Sequence, residues 1–364
     1  EFEIENADDM LKISNSLNSH YILTADINLQ SITNFEPIGT KDTPFTGSIN
    51  GVHKIVLGDS VVDVQHTIYN LNITRRQSDE TGNINYFGLF GYVGETGALL
   101  NLQLNGVNIN ILDSNSNQVV YVGALAGFSK GLIYNCSVVD GSQVQTSSAT
   151  SMFTDATKPV GITYRALASN KTTYVGGLVG MLVGIVDLTE NFKNAIDLVD
   201  GITTNFENNN AYVNIVATST IETSAIIAGG LVGYNLGAHI LNSEKTDYNV
   251  VSSINTLPNT SMSNQNSIYG GLVGINLGGI ENYTTKSYVK GLTYTGGLVG
   301  INMGQLVNNT VLPVVRGKTY VGGLVGYNIY NDNLEINTIS SYLLPNVYLL
   351  DSNEIAEEYK ISSN

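Results

Sequence analysis

The pentapeptide Gly-Gly-Leu-Val-Gly ends at Gly300 and returns unchanged twenty-six residues later, ending at Gly326. A fixed interval in the twenties marks a solenoid coil, because each repeat buries a face only by stacking on its neighbour. The shorter form Gly/Ala-Leu-x-Gly occurs seven times, at Gly88–Gly91, Ala124–Gly127, Gly177–Gly180, Gly230–Gly233, Gly271–Gly274, Gly297–Gly300 and Gly323–Gly326. The spacing is uneven, at thirty-six, fifty-three, fifty-three and forty-one residues, and then twenty-six for each of the last two steps. Twenty-six residues supply about three short strands with their turns, one turn of a parallel β-helix. The longer intervals read as the same coil with insertions, or as two coils of which one has lost the motif.

A glycine cluster also invites a phosphate-loop reading. No copy continues as Gly-x-x-x-x-Gly-Lys-Ser/Thr, and none leads into a helix with a well-placed acidic residue beyond it. A nucleotide site is built once, not seven times. The structural glycines are therefore Gly88, Gly91, Gly127, Gly177, Gly180, Gly230, Gly233, Gly271, Gly274, Gly297, Gly300, Gly323 and Gly326.

Neighbouring positions repeat as well. Tyr121-Val122, Tyr174-Val175, Tyr294-Thr295 and Tyr320-Val321 precede the motif, and Asn235, Asn276, Asn302 and Asn328 follow it at one offset. In-register stacking would place those asparagines above one another as a side-chain amide ladder. Gly237, Gly278 and Gly304 share the next turn position, where the last copy has Tyr330.

Composition agrees with an all-β chain: 42% of residues are hydrophobic, 13% are charged, and the 21 tyrosines stand beside no tryptophan. The net charge of −15 argues against a nucleic-acid partner or an anionic membrane surface, both of which need clustered Lys or Arg. Arg75-Arg76 is the sole adjacent arginine pair. A single cysteine, Cys136, excludes an intramolecular disulfide and a thiol-rich metal site. No run of eighteen apolar residues predicts a membrane span. The opening Glu1-Phe2 lacks an initiator methionine, so the sequence reads as a fragment and its want of a signal peptide says nothing about location.

Along the chain, residues 1–30 read as an N-terminal cap with the first strands, and residues 31–364 as the solenoid. Asn6 is a candidate N-cap, Asp8 and Asp9 fill the first turn, and Met10, Ile13 and Leu17 give a short helix its apolar face. Tyr21–Leu29 alternates like a strand; Pro37–Gly39 and Pro44–Gly51 are punctuated by turn residues; His53–Leu57 and Ile68–Ile73 read as coil strands. Polarity predicts insertions near 140–170, 186–210 and 252–268, with short helices within 188–199 and 354–359.

With the repeat and the N-terminal pattern both in view, the sequence resembles bacterial surface proteins carrying GLUG repeats. The resemblance rests on Gly-Gly-Leu-Val-Gly at 176–180, 229–233, 270–274, 296–300 and 322–326. It rests also on Tyr21–Leu29 followed by Pro37–Gly39 and Pro44–Gly51. This arrangement is similar to that of adhesin-like proteins and of the non-catalytic part of metallopeptidases that cleave immunoglobulin A. Asn28 and Glu36 depart from the aspartate and aromatic residue common at those places. The resemblance implies a right-handed parallel β-helix, exported and held at a cell surface, with an N-terminal capping helix and inserted loops.

Chemistry is sparse. No His-Glu-x-x-His occurs, and His20, His53, His66 and His239 match no zinc spacing. Asp187, Glu190, Asp197 and Asp200 are candidate carboxylates for polysaccharide cleavage, and a solvated acidic loop explains them equally well. Asp113, Asn115 and Asn117 have the opening spacing of a calcium loop, without the glycine and glutamate that complete one. Cys136 reads as a buried strand residue. Asn72, Asn170, Asn282 and Asn308 each begin an Asn-x-Ser/Thr triplet, which arises readily by chance in an asparagine-rich chain. Tyr174, Tyr294 and Tyr320 read as structural, and tyrosines in insertions as contact residues.

The expected role is a non-enzymatic, adhesin-like binding module at the cell surface or outside the cell, without a cofactor unless calcium binds. Its expected partners are a host or neighbouring-cell protein or glycan and the flanking domains of a larger chain. The alternatives are a stalk or accessory domain of a surface protein or peptidase, and a polysaccharide-degrading β-helix enzyme.

Overall fold

The computed structural model describes residues 1–77, 85–113, 119–139, 161–166, 171–185, 202–219, 225–243, 249–255, 266–330, 334–335, 337–339 and 347–349. The chain is an all-β parallel β-helix. A C-terminal coil runs through strands Tyr294–Gly296, Val299–Asn302, Gln305–Val307 and Thr310–Gly317. Each strand joins a different parallel sheet, and among the described residues these sheets hold seven, seven, ten and thirteen strands. The coil thus has four strands where the interval predicts three. The difference lies at Gly297 and Leu298, which form a bend between two strands of three and four residues.

Register is set by repetition. Val273 pairs with Val299 and Val299 with Val325, while Ile280 pairs with Leu306. Inward residues therefore stack on their own kind, and Leu272, Leu298, Val299, Leu306 and Val315 are fully buried. Each such side chain contributes about 1.5–3 kcal/mol relative to exposure.

The glycines are needed because backbone meets backbone on both sides of that bend. A Cβ on Gly297 would lie 2.0 Å from the Gly323 carbonyl oxygen of the next coil, and one on Gly326 would lie 2.7 Å from the Thr295 nitrogen in the other seven-stranded sheet. Ala124 is the one departure from glycine at the place of Gly297, whereas the place of Gly326 is glycine in all seven copies, so there the repeat is a steric requirement.

The N-terminal cap has a helix at Ala7–Lys12. The Asn6 side chain accepts a hydrogen bond from the Asp9 amide at 3.1 Å. The helix joins Phe2–Ile4 to His20–Leu23, neighbouring strands at the edge of the ten-stranded sheet, and buries Met10 fully, with Ile13 just beyond it. It closes the apolar core at that end. Ile38 and Phe45 bridge to Phe90 and Val93, extending the closure to the next sheet.

Several expectations need correction. His53–Leu57 is not a coil strand. Val52–Leu57 pairs antiparallel with Ser60–Gln65 in a separate two-stranded hairpin. Gly58, at φ +63°, opens its two-residue turn, as a type II′ turn requires. Ile68–Ile73 is two strands, Thr67–Tyr69 and Asn72–Gln77, with Asn70 at φ 59° between them.

The expected insertions are also narrower than their polarity suggested. Gly161–Ala166, Phe206–Glu207, the start of Asn210–Ser219, Val250–Asn255 and Asn266–Gly270 all belong to parallel ladders. Polar residues there face inward because backbone groups receive them. Ser252 Oγ donates to the Gly271 carbonyl at 2.7 Å, and Ser267 Oγ accepts from the Leu292 amide at 2.6 Å. The expected helices within 188–199 and 354–359 lie outside the described residues.

Candidate binding surface

Where the two seven-stranded sheets diverge from their glycine corner, tyrosine replaces glycine. Tyr86, Tyr121 and Tyr174 occupy one register position in one sheet. Tyr92, Phe128, Met181 and Tyr234 occupy one position in the other. Parallel in-register strands lie about 4.8 Å apart, so side chains in a column stack. Tyr86 and Tyr121 lie 5.0 Å apart at 5°, Tyr121 and Tyr174 lie 5.4 Å apart, and Tyr92 and Phe128 lie 4.5 Å apart. The columns meet edge-to-face, with Tyr86 against Tyr92 at 81° and Tyr121 against Phe128 at 89°. Such pairs contribute about 0.5–1.5 kcal/mol each beyond area burial.

The stacks are interrupted and then resume. Ile227 and Ile268 continue the first column, and Tyr294 and Tyr320 complete it 4.9 Å apart. Tyr327 lies 5.4 Å from Tyr320, and both rings are exposed. The N-terminal rings are half-buried, except Phe128, which is buried. Burial, followed by Tyr86 and Tyr174, pushes the Tyr121 phenol up to about 12. Burial, followed by Tyr92 and Asp42, also raises Tyr86. Both phenols therefore keep their protons at neutral pH and serve as donors.

Beside the first two rings lies a cleft of about 490 Å³, lined among others by Glu36, Thr40, Lys41, Asp42, Tyr86 and Tyr121. One side is a tight turn. The Thr40 amide donates to the Thr43 carbonyl at 2.9 Å, and the Thr43 amide donates to Thr40 Oγ1 at 3.1 Å. This turn holds Lys41 and Asp42 outward. Glu36 forms an ion pair with Arg75, whose side chain is largely buried. That pairing gives the glutamate before Pro37 a place in this fold.

The asparagines form a continuous column. Asn235 Nδ2 donates to Asn276 Oδ1 at 2.8 Å, Asn276 to Asn302 at 2.8 Å, and Asn302 to Asn328 at 2.9 Å. Sequence reasoning missed a second set at another corner. Asn101 donates to Asn50 and Asn135 to Asn101, with Asn101 and Asn135 at φ 54° and 50°. Asparagine tolerates that left-handed conformation better than other side chains, while its amide bonds to the coil beside it.

The remaining candidates are dispersed. His20 Nδ1 lies 2.8 Å from Ser48 Oγ, and His239 Nε2 lies 3.1 Å from Glu281. His53 and His66 stack at the hairpin base with 3.3 Å between ring nitrogens, and Asp26 lies 3.7 Å from His66. Burial, helped by His53 and opposed by Asp26, lowers the His66 pKa. Cys136 is fully buried, and burial pushes its thiol up to about 12. It is therefore no nucleophile at neutral pH.

Among the described residues, no three His, Cys, Asp or Glu side chains gather as a metal site. Asp113 ends the strand Asn108–Asp113, and Asn115 and Asn117 lie outside the described residues, as do Asp187, Glu190, Asp197 and Asp200. No helix among the described residues is long and apolar enough to cross a membrane.

Sequence reasoning also missed Tyr86, Tyr92, Phe128, Tyr234 and the turn at 40–43 as surface features. The available signal was the residue directly after the motif's last glycine: Tyr92, Phe128, Tyr234 and Tyr327 are aromatic there.

No protein-family model matches the chain. Over 142 residues it is 32% identical to a "Putative Gly-rich membrane protein" of Evansella cellulosilytica. That stretch is 37% of this chain and spans only 14% of the relative. Among solved structures, a "putative immunoglobulin A1 protease" from Bacteroides ovatus aligns with a TM-score of 0.45 and 16% identity, over 93% of this chain and 84% of the other. That likeness is too distant to bear on activity, and the solenoid stands on its own strand register.

Proposed function

We propose that the chain is a non-enzymatic binding module of a larger surface or secreted protein, recognising a partner outside the cell. The observation that carries this reading is the pair of aromatic columns on the outer face, ending beside a polar-rimmed cleft. Aromatic side chains give large, rigid contact area at low entropic cost, and partly exposed ones beside a concavity are suited to contact. The acidic balance and the lack of a basic cluster favour a protein or neutral glycan over a nucleic acid. The relative named as a membrane protein is far longer than the matched stretch, which supports a module carried by a larger chain.

A second reading has its own support. Continuous ladders through every coil make a stiff rod, which suits a stalk or accessory domain that holds another domain away from an envelope.

The test is saturable binding of the purified chain to intact epithelial and bacterial cells, with EDTA and glycan-removal arms. Saturable binding supports the module, and the EDTA arm reports on calcium. Absence of binding to every surface overturns recognition of those partners and favours the stalk.

A further inference from the structure

In a stack of rings each interior face is covered, and only the terminal ring can offer a face to a ligand. Tyr86 is that ring. Its strand, Tyr86–Phe87, is the edge of its seven-stranded sheet, and Tyr121 covers one face at 5.0 Å. Among the described residues no further ring stacks on the other face. Edge-to-face contact with Tyr92 at 5.3 Å holds the Tyr86 ring in place, so its orientation is set before any ligand arrives.

We propose that the cleft beside Tyr86 binds a neutral oligosaccharide, one sugar ring continuing the tyrosine stack. This deepens the binding-module reading and rests on it. A pyranose has a flat face of C–H groups that packs on an aromatic ring, while its hydroxyls point outward as donors and acceptors. The cleft supplies both partners. Tyr86 presents a ring face, Tyr86 and Tyr121 bring phenolic hydroxyls, and Thr40, Lys41 and Asp42 bring a hydroxyl, an ammonium and a carboxylate to one side. Its volume of about 490 Å³ falls in the usual range for small-ligand sites.

The alternatives fit less well. Arg75 neutralises Glu36 and Asp42 offsets Lys41, so the lining lacks the clustered cations that phosphates, sulfates and uronic acids call for. An extended peptide added to the sheet would need a longer edge, and the Tyr86–Phe87 strand has two residues.

The experiment titrates the whole chain with neutral tetraoses of glucose, galactose, mannose and N-acetylglucosamine, followed by saturation-transfer NMR and calorimetry. An oligogalacturonate and a tyrosine-containing tetrapeptide serve as comparison ligands. The expected result is saturable binding of at least one neutral tetraose. Tyr86→Ala should weaken it about tenfold, from the loss of one stacked ring and its packing. Tyr86→Phe keeps the stack and should stay within about threefold, and Asp42→Ala, at an exposed turn position, should weaken binding without touching the core.

No binding of any neutral tetraose, binding indifferent to both Tyr86→Ala and Asp42→Ala, or preference for the galacturonate or the peptide would each overturn the proposal. Cell binding that persists in Tyr86→Ala and after glycan removal would sink the saccharide while leaving the module standing. A chain that binds neither cells nor tetraoses would lose both readings.

Discussion

The glycine corner between the seven-stranded sheets and the hairpin at 52–65 solve opposite problems. At the corner two backbones approach until a single Cβ would collide: added to Gly180, it would lie 2.5 Å from the Gly127 carbonyl oxygen. At the hairpin nothing among the described residues packs on the tip, and Val56, Leu57 and Val61 are 73%, 60% and 63% exposed. The first region keeps glycine at the place of Gly180 in all seven copies of the motif and recurs from coil to coil. The second tolerates many residues and occurs once among the described strands. Steric necessity, rather than hydrophobicity, separates what this chain must repeat from what it can vary.

The harshest way to break the comparison is to place a side chain at the corner. Gly180→Ala should cost about 3 kcal/mol or more, since the new Cβ meets backbone of the adjacent coil and no rotamer can avoid it. Urea unfolding should show the midpoint falling well below wild type. A loss under about 0.5 kcal/mol, the scale of an ordinary surface substitution, would mean the coils can separate cheaply, and the steric account would fall.

The asparagine column comes next. Asn276 is fully buried, donates to Asn302 and accepts from Asn235. Asn276→Ala leaves a donor on Asn235 and an acceptor on Asn302 short of a partner, at a cost of about 2 kcal/mol. Asn328, at the column's end, should lose less when changed to Ala. Equal losses at the two positions would show that the column is not a connected chain of bonds.

How much was legible follows from the same contrast. The twenty-six-residue interval and its recurring glycines reveal the solenoid because backbone approach forbids substitution at Gly300 and Gly326. The asparagine offset was visible for a similar reason: only an amide both donates and accepts along the stack. The hairpin was hidden because Val52–Leu57 carries β-branched residues that suit a coil strand as well as an antiparallel one, and its pairing is fixed by the turn at Gly58. Ser252 and Ser267 misled in the other direction. Each is a polar residue in a segment read as an inserted loop, yet each is buried against a backbone partner. The cleft could not be read at all, because Thr40–Asp42 and Tyr86 are brought together only by the coil's closure.

At the hairpin base the effect is smaller and depends on pH. An unfolded histidine titrates near 6.5, and burial holds folded His66 below that value. The unfolded chain therefore takes up the proton first as pH falls. The stabilisation is complete above about pH 6.5 and is lost as pH drops through the lower folded value. The Tm should decline over that window, and His66→Gln should flatten the decline. A variant with the same slope as wild type would place the sensitive group elsewhere.

The smallest effect is expected at the hairpin tip. Val56 and Val61 face each other across the two strands and are both exposed, so Val56→Thr with Val61→Thr keeps β-branched shape and removes only exposed methyl surface. Global stability should change by less than about 0.5 kcal/mol, against about 3 for the single methyl at Gly180. Urea unfolding of the double variant beside Gly180→Ala measures that ratio directly. A loss above about 1.5 kcal/mol at the tip, well beyond the range of surface substitutions, would show that the hairpin is coupled to the core. The steric contact would then no longer mark the boundary between the fixed and the variable parts of the solenoid.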